Sequence, residues 1–120
     1  MPLVTLTLRA PKTPAFKHAI LDGVHRALVA SGVPEADLFQ RVLELTADDF
    51  RFDVSYPDIA SPRTDNFALI EILWSVGRSV KVKRKVLADI VAAVGRDPGL
   101  DAEHVMIVFK ETQWENWAFG

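Results

Sequence analysis

Phe67-Ala68-Leu69-Ile70-Glu71-Ile72-Leu73-Trp74, continuing into Ser75-Val76-Gly77-Arg78-Ser79, is the stretch from which the fold of this chain is read. The first eight residues are an apolar run of strand length. Ser79 then stands where a helix cap belongs, because its hydroxyl can accept from a free N–H of the first turn. Val82, Val86, Ile90, Ala93 and Val94 follow at helical spacing and mark one apolar face. Gly95 lies where that helix should end, and Val105 to Phe109 reads as another strand. The order is strand, helix, strand.

The same order precedes it. Pro2 to Leu8 alternates apolar and polar positions in the manner of a strand. Thr13-Pro14 supplies a cap and a proline for the first helical position. Phe16, Ile20, Val24, Ala27 and Leu28 form an apolar helical face, and Gly32 and Pro34 stop it. A second strand is expected near Phe39 to Leu45. The stretch Thr46 to Asn66 is rich in Asp, Ser and Pro and reads as an excursion, with Phe50-Arg51-Phe52-Asp53-Val54 alternating as a short strand. The whole chain, 1–120, is therefore expected to be one domain of two similar halves, about 2–46 and 67–110, with no appreciable identity between them. Two β-α-β units with short connections imply an α+β fold: one mixed four-stranded sheet with both helices on one face. Strands as apolar as Phe67–Trp74 are poorly suited to leaving the other face in water, so association between subunits is expected.

Composition narrows the function. Hydrophobic residues make up 49% and charged residues 25%, and the formal net charge is −2, which gives no case for binding nucleic acid. The absence of cysteine excludes disulfides, zinc-thiolate sites and thiol catalysis. Neither a signal-peptide core nor a long apolar span is present, so a cytoplasmic protein without a membrane partner is expected.

The chain opens Met1-Pro2. A small second residue normally permits removal of the initiator methionine, which would leave Pro2 with a free secondary amine. Ordinary α-amino groups titrate at about 7.7–8.0, nearer neutrality than lysine. Burial at the start of a strand and a nearby cation would lower that value further and make Pro2 a base at physiological pH. At Gly77-Arg78-Ser79 a strand gives way to a helix N-terminus, where free N–H groups and a guanidinium fork suit a carboxylate; the competing reading is an ordinary turn with a solvated arginine. Asp37, ahead of the second strand, either orients a substrate or water or caps a turn. The tail Gln113-Trp114-Glu115-Asn116-Trp117-Ala118-Phe119-Gly120 either walls an apolar pocket or docks the carboxyl terminus. His18 and His25 lack the spacing of a helical metal pair and read as surface residues, His104 as a turn residue before the last strand. Lys81, Lys83, Arg84 and Lys85 read as the solvated side of the second helix. No phosphate loop, G-x-S-x-G elbow or H-E-x-x-H helix is present.

Taken in order, Pro2, the two β-α-β units, Val33-Pro34 with Asp37 and Gln40, Gly77-Arg78-Ser79, and Asn116-Trp117-Ala118-Phe119-Gly120 resemble the tautomerase superfamily over nearly the full chain. The likeness is nearest to the branch of malonate semialdehyde decarboxylase and the fused-subunit tautomerases. That resemblance implies a homotrimer with a central barrel of sheets (the fold shared with macrophage migration inhibitory factor). It also implies chemistry with neither metal nor cofactor. Pro2 would be the catalytic amine. Arg78, with Ser79, would bind the substrate carboxylate and polarise its carbonyl, and Asp37 would be the assisting acid. Trp117 and Phe119 would form the apolar wall. The decarboxylase pattern carries a further arginine two positions before the one matched by Arg78, where this chain has Val76.

The resemblance therefore implies an enol–keto tautomerase (an isomerase) acting on a small 2-oxo or 2-hydroxyenoic acid. Two rivals stand beside it. One is a decarboxylase or hydratase of a three-carbon oxo acid on the same scaffold. The other is a non-catalytic trimeric module that binds a ligand or partner.

Overall fold

A computed structural model describes residues 1–120, and both β-α-β units form in it. The first comprises β1 (Leu3–Arg9), α1 (Pro14–Ala30) and β2 (Gln40–Leu45). The second comprises β3 (Ala68–Ser75), α2 (Val80–Arg96) and β4 (Val105–Thr112). Sheet order is β2-β1-β3-β4. β1 pairs parallel with β2 and β3 parallel with β4, while β1 and β3 run antiparallel at the centre. The sheet is thus mixed, as the two repeated units require.

Local chemistry sets the helix ends. Thr13 Oγ1 accepts from the Phe16 N–H at 3.1 Å, with Pro14 opening α1. Ser79 Oγ accepts from the Val82 N–H at 3.2 Å and opens α2. After α1 the chain turns at Gly32, whose φ of +112° lies in the left-handed region open to glycine.

One face of the sheet carries the core. Val4, Leu6 and Leu8 of β1 and Ile70, Ile72 and Trp74 of β3 pack with Ile20, Val24 and Leu28 of α1 and Val86, Ile90 and Val94 of α2. Both helices therefore cover the same face. They approach closely at Gly23, where an added Cβ would sit 3.0 Å from Ala93 Cβ.

The other face is uncovered. Its rows are set by register: Leu3 opposite Leu73; Thr5 between Arg41 and Glu71; Thr7 between Leu43 and Leu69; Met106 and Val108 on β4. Leu43, Met106 and Val108 are exposed, interrupted by the Arg41–Thr5 hydrogen bond and the Lys110–Glu71 ion pair. An apolar surface of this kind matches the expectation of a covered face.

Three boundaries differ from expectation. Phe50–Val54 is not a strand. The Asp53 carboxylate accepts from the Ser55 and Tyr56 N–H groups and turns the chain, and Arg9 Nε takes the Phe50 carbonyl that a ladder would have used. The alternation that suggested a strand has another cause, because the Phe50 and Phe52 rings both pack against Phe67. Gly95 does not end α2, which runs through Arg96. The stop is Asp97-Pro98-Gly99: Asp97 is extended, as a residue before proline tends to be, and Gly99 has φ +97°. Finally, β4 continues past Phe109 to Thr112, held by pairing of Leu73, Trp74 and Ser75 with Lys110, Glu111 and Thr112.

Candidate active site

Parallel and antiparallel pairing bring three distant segments to one end of the sheet. Pro2 immediately precedes β1 and is buried. Its neighbour Leu3 lies opposite Leu73, so the amino terminus meets the end of β3 and the turn that carries Arg78. On the other side the Val4 N–H donates to the Phe39 carbonyl at 2.9 Å, drawing the Asp37–Phe39 segment beside the same terminus. The Met1 amino group stands 3.9 Å from Asp37 Oδ2.

Asp37 is mostly enclosed, with a side-chain exposure of 15%, and its Oδ1 is buried without a hydrogen-bond partner. A buried carboxylate oxygen without a donor is unfavourable by about 1–3 kcal/mol or more. His25 Nε2 lies 2.9 Å from the Glu35 carbonyl and ties this loop to α1. Gln40 Nε2 does the same through the Leu21 carbonyl at 2.8 Å.

Arg78 follows Gly77, whose φ of +120° swings the chain out of β3. The guanidinium folds back. Its Nη1 donates to the Ser75 carbonyl at 2.9 Å, and its Cζ sits 4.0 Å from the centroid of the Trp74 ring. Desolvation lowers the Arg78 pKa from its ordinary value, and the charges of Glu111 and then Asp37 act in the opposite direction. Arginine retains its proton through such shifts, so the site keeps a fixed cation. The electrostatic reach of Asp37 also places it in the same neighbourhood as Arg78.

The tail closes over this end. The Val76 N–H donates to the Thr112 carbonyl at 2.9 Å, and Asn116 Nδ2 donates to Thr112 Oγ1 at 2.7 Å. The Trp117 indole N–H donates to Ser75 Oγ at 3.0 Å, and Phe119 lies near-parallel to Trp117 at 6.1 Å. Trp117 is half-buried, whereas Phe119 is exposed and extends the apolar surface outward. Ser79 is also exposed, and its hydroxyl oxygen serves the α2 cap, so what it offers a ligand is its own O–H.

Pro2, Asp37, Arg78, Ser79 and Trp117 are thus gathered at one end of the sheet. Sequence reasoning missed Trp74, Ser75 and Glu111. The signal available was a tryptophan at the last inward position of β3, four residues before the arginine. Of the histidines, His18 is exposed on α1 and His104 contacts Ser61 at the far end of the sheet, whereas His25, expected at the surface, is half-buried and braces the loop that carries Asp37. Of the basic run, Lys83 pairs with Glu111 and Lys85 with Asp89, while Lys81 and Arg84 are exposed.

The largest cavity, about 530 Å³, lies at the opposite end, among Phe50, Phe52, Arg63, Phe67, Leu69 and Met106. Its walls are aromatic with Arg51, Asp53 and Arg63 beside them, and its floor, Leu69 and Met106, belongs to the uncovered sheet face. The amino terminus, Asp37 and Arg78 meet at the other end, away from this cavity. No helix is long and apolar enough to cross a membrane.

Comparison with known proteins agrees with this fold. The probable tautomerase YusQ of Bacillus subtilis (strain 168) is 26% identical over 121 aligned residues, spanning 100% of this chain and 94% of the relative. A malonate semialdehyde decarboxylase, described with decarboxylase and hydratase activities, superposes with a TM-score of 0.87 at 25% identity, covering 98% of this chain and 90% of the other. A fused 4-OT solved as a symmetric trimer gives a TM-score of 0.72 at 25% identity, covering 92% and 85%. A family model described as "tautomerase enzyme" matches residues 37–120, the span holding Asp37, Arg78 and the aromatic tail; the chain belongs to the tautomerase family.

Proposed function

We propose that this protein is an enol–keto tautomerase for a small 2-oxo or 2-hydroxyenoic acid such as an arylpyruvate, with Pro2 as the proton-transfer group. The observation that carries the reading is the meeting of the amino terminus, the Asp37 carboxylate and the Arg78 guanidinium at one end of the sheet. Removal of Met1 would expose the Pro2 amine there. Burial and the nearby cation favour the neutral amine, and Asp37 favours the protonated one. That balance suits a group that must accept and return a proton near neutral pH.

In the forward step Pro2 takes the proton from the enol hydroxyl. The oxygen lone pair forms the carbonyl as the C=C electrons move to carbon, and the Pro2 ammonium returns its proton to that carbon. Arg78 binds the carboxylate and stabilises charge developing on the adjacent oxygen. Trp117 and Phe119 limit water beside the amine. No step needs a cofactor, a metal or an external base.

The uncovered sheet face, together with the trimeric state of the fused 4-OT relative, supports a homotrimer in which Leu43, Leu69, Met106 and Val108 are shielded by neighbouring subunits. The cleft at Phe50, Phe67 and Met106 opens onto that same face and belongs to this contact region.

A second reading is kept because the likeness to malonate semialdehyde decarboxylase is high. On it, protonated Pro2 would act as an acid on a three-carbon oxo acid, with Asp37 directing water. Val76, in place of a second arginine, leaves one cation here for binding and polarisation, which suits tautomerisation better.

The test is the intact mass of the purified protein followed by ketonisation of phenylenolpyruvate. The expected result is loss of Met1, measurable ketonisation, and a fall of about 10²-fold or more in Pro2→Ala. Full activity in Pro2→Ala, or turnover with Met1 retained, would remove Pro2 from the mechanism. Turnover of a β-keto acid without ketonisation would favour the second reading.

A further inference from the structure

We propose that Trp74 is a positioning residue for Arg78, its indole face holding the guanidinium in place while leaving the in-plane donors free for the substrate. This rests on the reading of Arg78 as the carboxylate anchor and adds what orients it.

Trp74 is fully buried at the end of β3 and stacks on Phe109, with centroids 4.5 Å apart and planes 5° from parallel. The Phe109 stack and the surrounding core fix the indole plane. Arg78 Cζ lies 4.0 Å from the Trp74 centroid. Guanidinium carries five N–H donors, of which the Ser75 carbonyl takes one. No carboxylate lies within ion-pairing distance, although Glu111 and Asp37 are near enough to act on its charge. The distinction matters chemically. A carboxylate partner would occupy the fork and cancel the charge, whereas an aromatic face attracts the cation and uses none of its donors. A site that must receive an anionic substrate needs the latter.

Trp74 Nε1 adds a second argument. It is buried without an acceptor, a penalty that phenylalanine or leucine at this place would avoid. Core filling alone does not favour an indole here; its large π-face beneath a cation does.

The experiment compares phenylenolpyruvate with its methyl ester, which lacks the charged carboxylate, in Trp74→Leu, Trp74→Phe, Arg78→Ala and the Trp74→Leu/Arg78→Ala double variant. Trp74→Leu is expected to raise KM for the acid about tenfold or more, with Trp74→Phe intermediate at about threefold. The kcat/KM for the ester should fall several-fold less than that for the acid in both, because the ester has no carboxylate for the anchor to hold and keeps only the demand on Arg78 at the reacting oxygen. In the Arg78→Ala background, Trp74→Leu should add no more than about a twofold loss on the acid.

Equal losses on acid and ester would assign Trp74 to structure alone and overturn the proposal, as would full additivity in the double variant. Should Trp74→Leu not fold, Trp74→Phe decides it: a selective rise in KM for the acid supports positioning, and no change or an equal change on both substrates overturns it. Loss on the acid in Arg78→Ala with none in either Trp74 variant removes only the positioning role. An Arg78→Ala protein that turns over the acid normally removes the anchor and its positioner together.

Discussion

The Trp117 indole N–H and the Ser75 hydroxyl, 3.0 Å apart and 42 positions apart in sequence, join the carboxyl-terminal tail to the end of the central strand. Ser75 is fully buried, and its backbone carbonyl holds Arg78. The tail is thereby coupled to the element that positions the cation. A short terminal segment with an exposed Trp114 and an exposed Phe119 has little burial to hold it, so this hydrogen bond carries much of its order.

Trp117→Phe should accordingly leave Ser75 Oγ buried without its donor and reduce unfolding free energy by about 1 kcal/mol. Hydrogen exchange over residues 112–120 should rise more than anywhere in β1 or β3. Unchanged protection in the tail would show that other contacts hold it.

Gly23 is required by packing. Its missing Cβ would stand 3.0 Å from Ala93 Cβ, where α1 crosses α2. Gly23→Val should push the helices apart and destabilise by about 1–3 kcal/mol. Gly95→Ala, in the last turn of α2 with its nearest new contact at 3.7 Å, should be neutral or stabilising by up to about 0.5–1 kcal/mol. Denaturant midpoints of the pair check both signs, and a Gly95→Ala protein weaker than wild type would contradict the geometry.

The uncovered sheet face makes its own demand. A charge placed among Leu43, Leu69, Met106 and Val108, as in Met106→Glu, should dissociate the proposed trimer while leaving the helix face intact. Sedimentation velocity should move from about three chain masses toward one, with circular dichroism preserved. A wild-type protein that sediments as a monomer would leave this face unexplained.

Acid sensitivity follows from two carboxylates held in their charged form. Glu44 lies below its ordinary 4.5, chiefly through its hydrogen bond with Lys17, and Asp53 lies below 3.8 through the Ser55 and then the Tyr56 N–H. A carboxyl whose folded pKa is depressed contributes stability above its unfolded value and loses it as pH falls through the folded one. Both contributions are therefore complete above about pH 5 and decline from about pH 4.5 downward. Glu44→Gln and Asp53→Asn should each flatten stability against pH in that window, the loss relative to wild type being largest near neutrality and fading toward acid. Identical acid limbs for wild type and both variants would assign the decline to other groups.

The halves of the fold were legible because each strand and helix is specified locally: Thr13 and Ser79 cap, Gly32 turns, and inward positions alternate along β1 and β3. Phe50–Val54 misled because the period-2 rhythm of Phe50 and Phe52 came from a tertiary cluster on Phe67, which no local rule contains. Gly95 misled because a helix can run through glycine when Asp97-Pro98 stands two residues on. At the site, Pro2, Asp37 and Arg78 were visible as residue types in order along the chain. Their convergence depends on β1 pairing with both β2 and β3, and the roles of Trp74 and Ser75 depend on a side chain folding backward. Such relations exist only once the sheet is assembled.

Asp37 offers the sharpest test of the chemistry itself. Its carboxylate stands beside the amino terminus, at 3.9 Å from the Met1 nitrogen, and would act on the Pro2 amine once Met1 is gone. A nearby negative charge favours the ammonium and raises the pH at which the amine becomes a base. Asp37→Asn should therefore shift the acid limb of kcat/KM for ketonisation to lower pH by about one unit, an opposite charge within reach being worth about that or more. The variant should be more active than wild type on the acid side of the limb, where wild-type Pro2 is protonated, and comparable above it. A limb that moves to higher pH would mean that Asp37 acts on the substrate rather than on the amine. A limb that stays in place while kcat falls at every pH would mark Asp37 as directing water or substrate rather than tuning the amine, the role given to it by the decarboxylase-like reading.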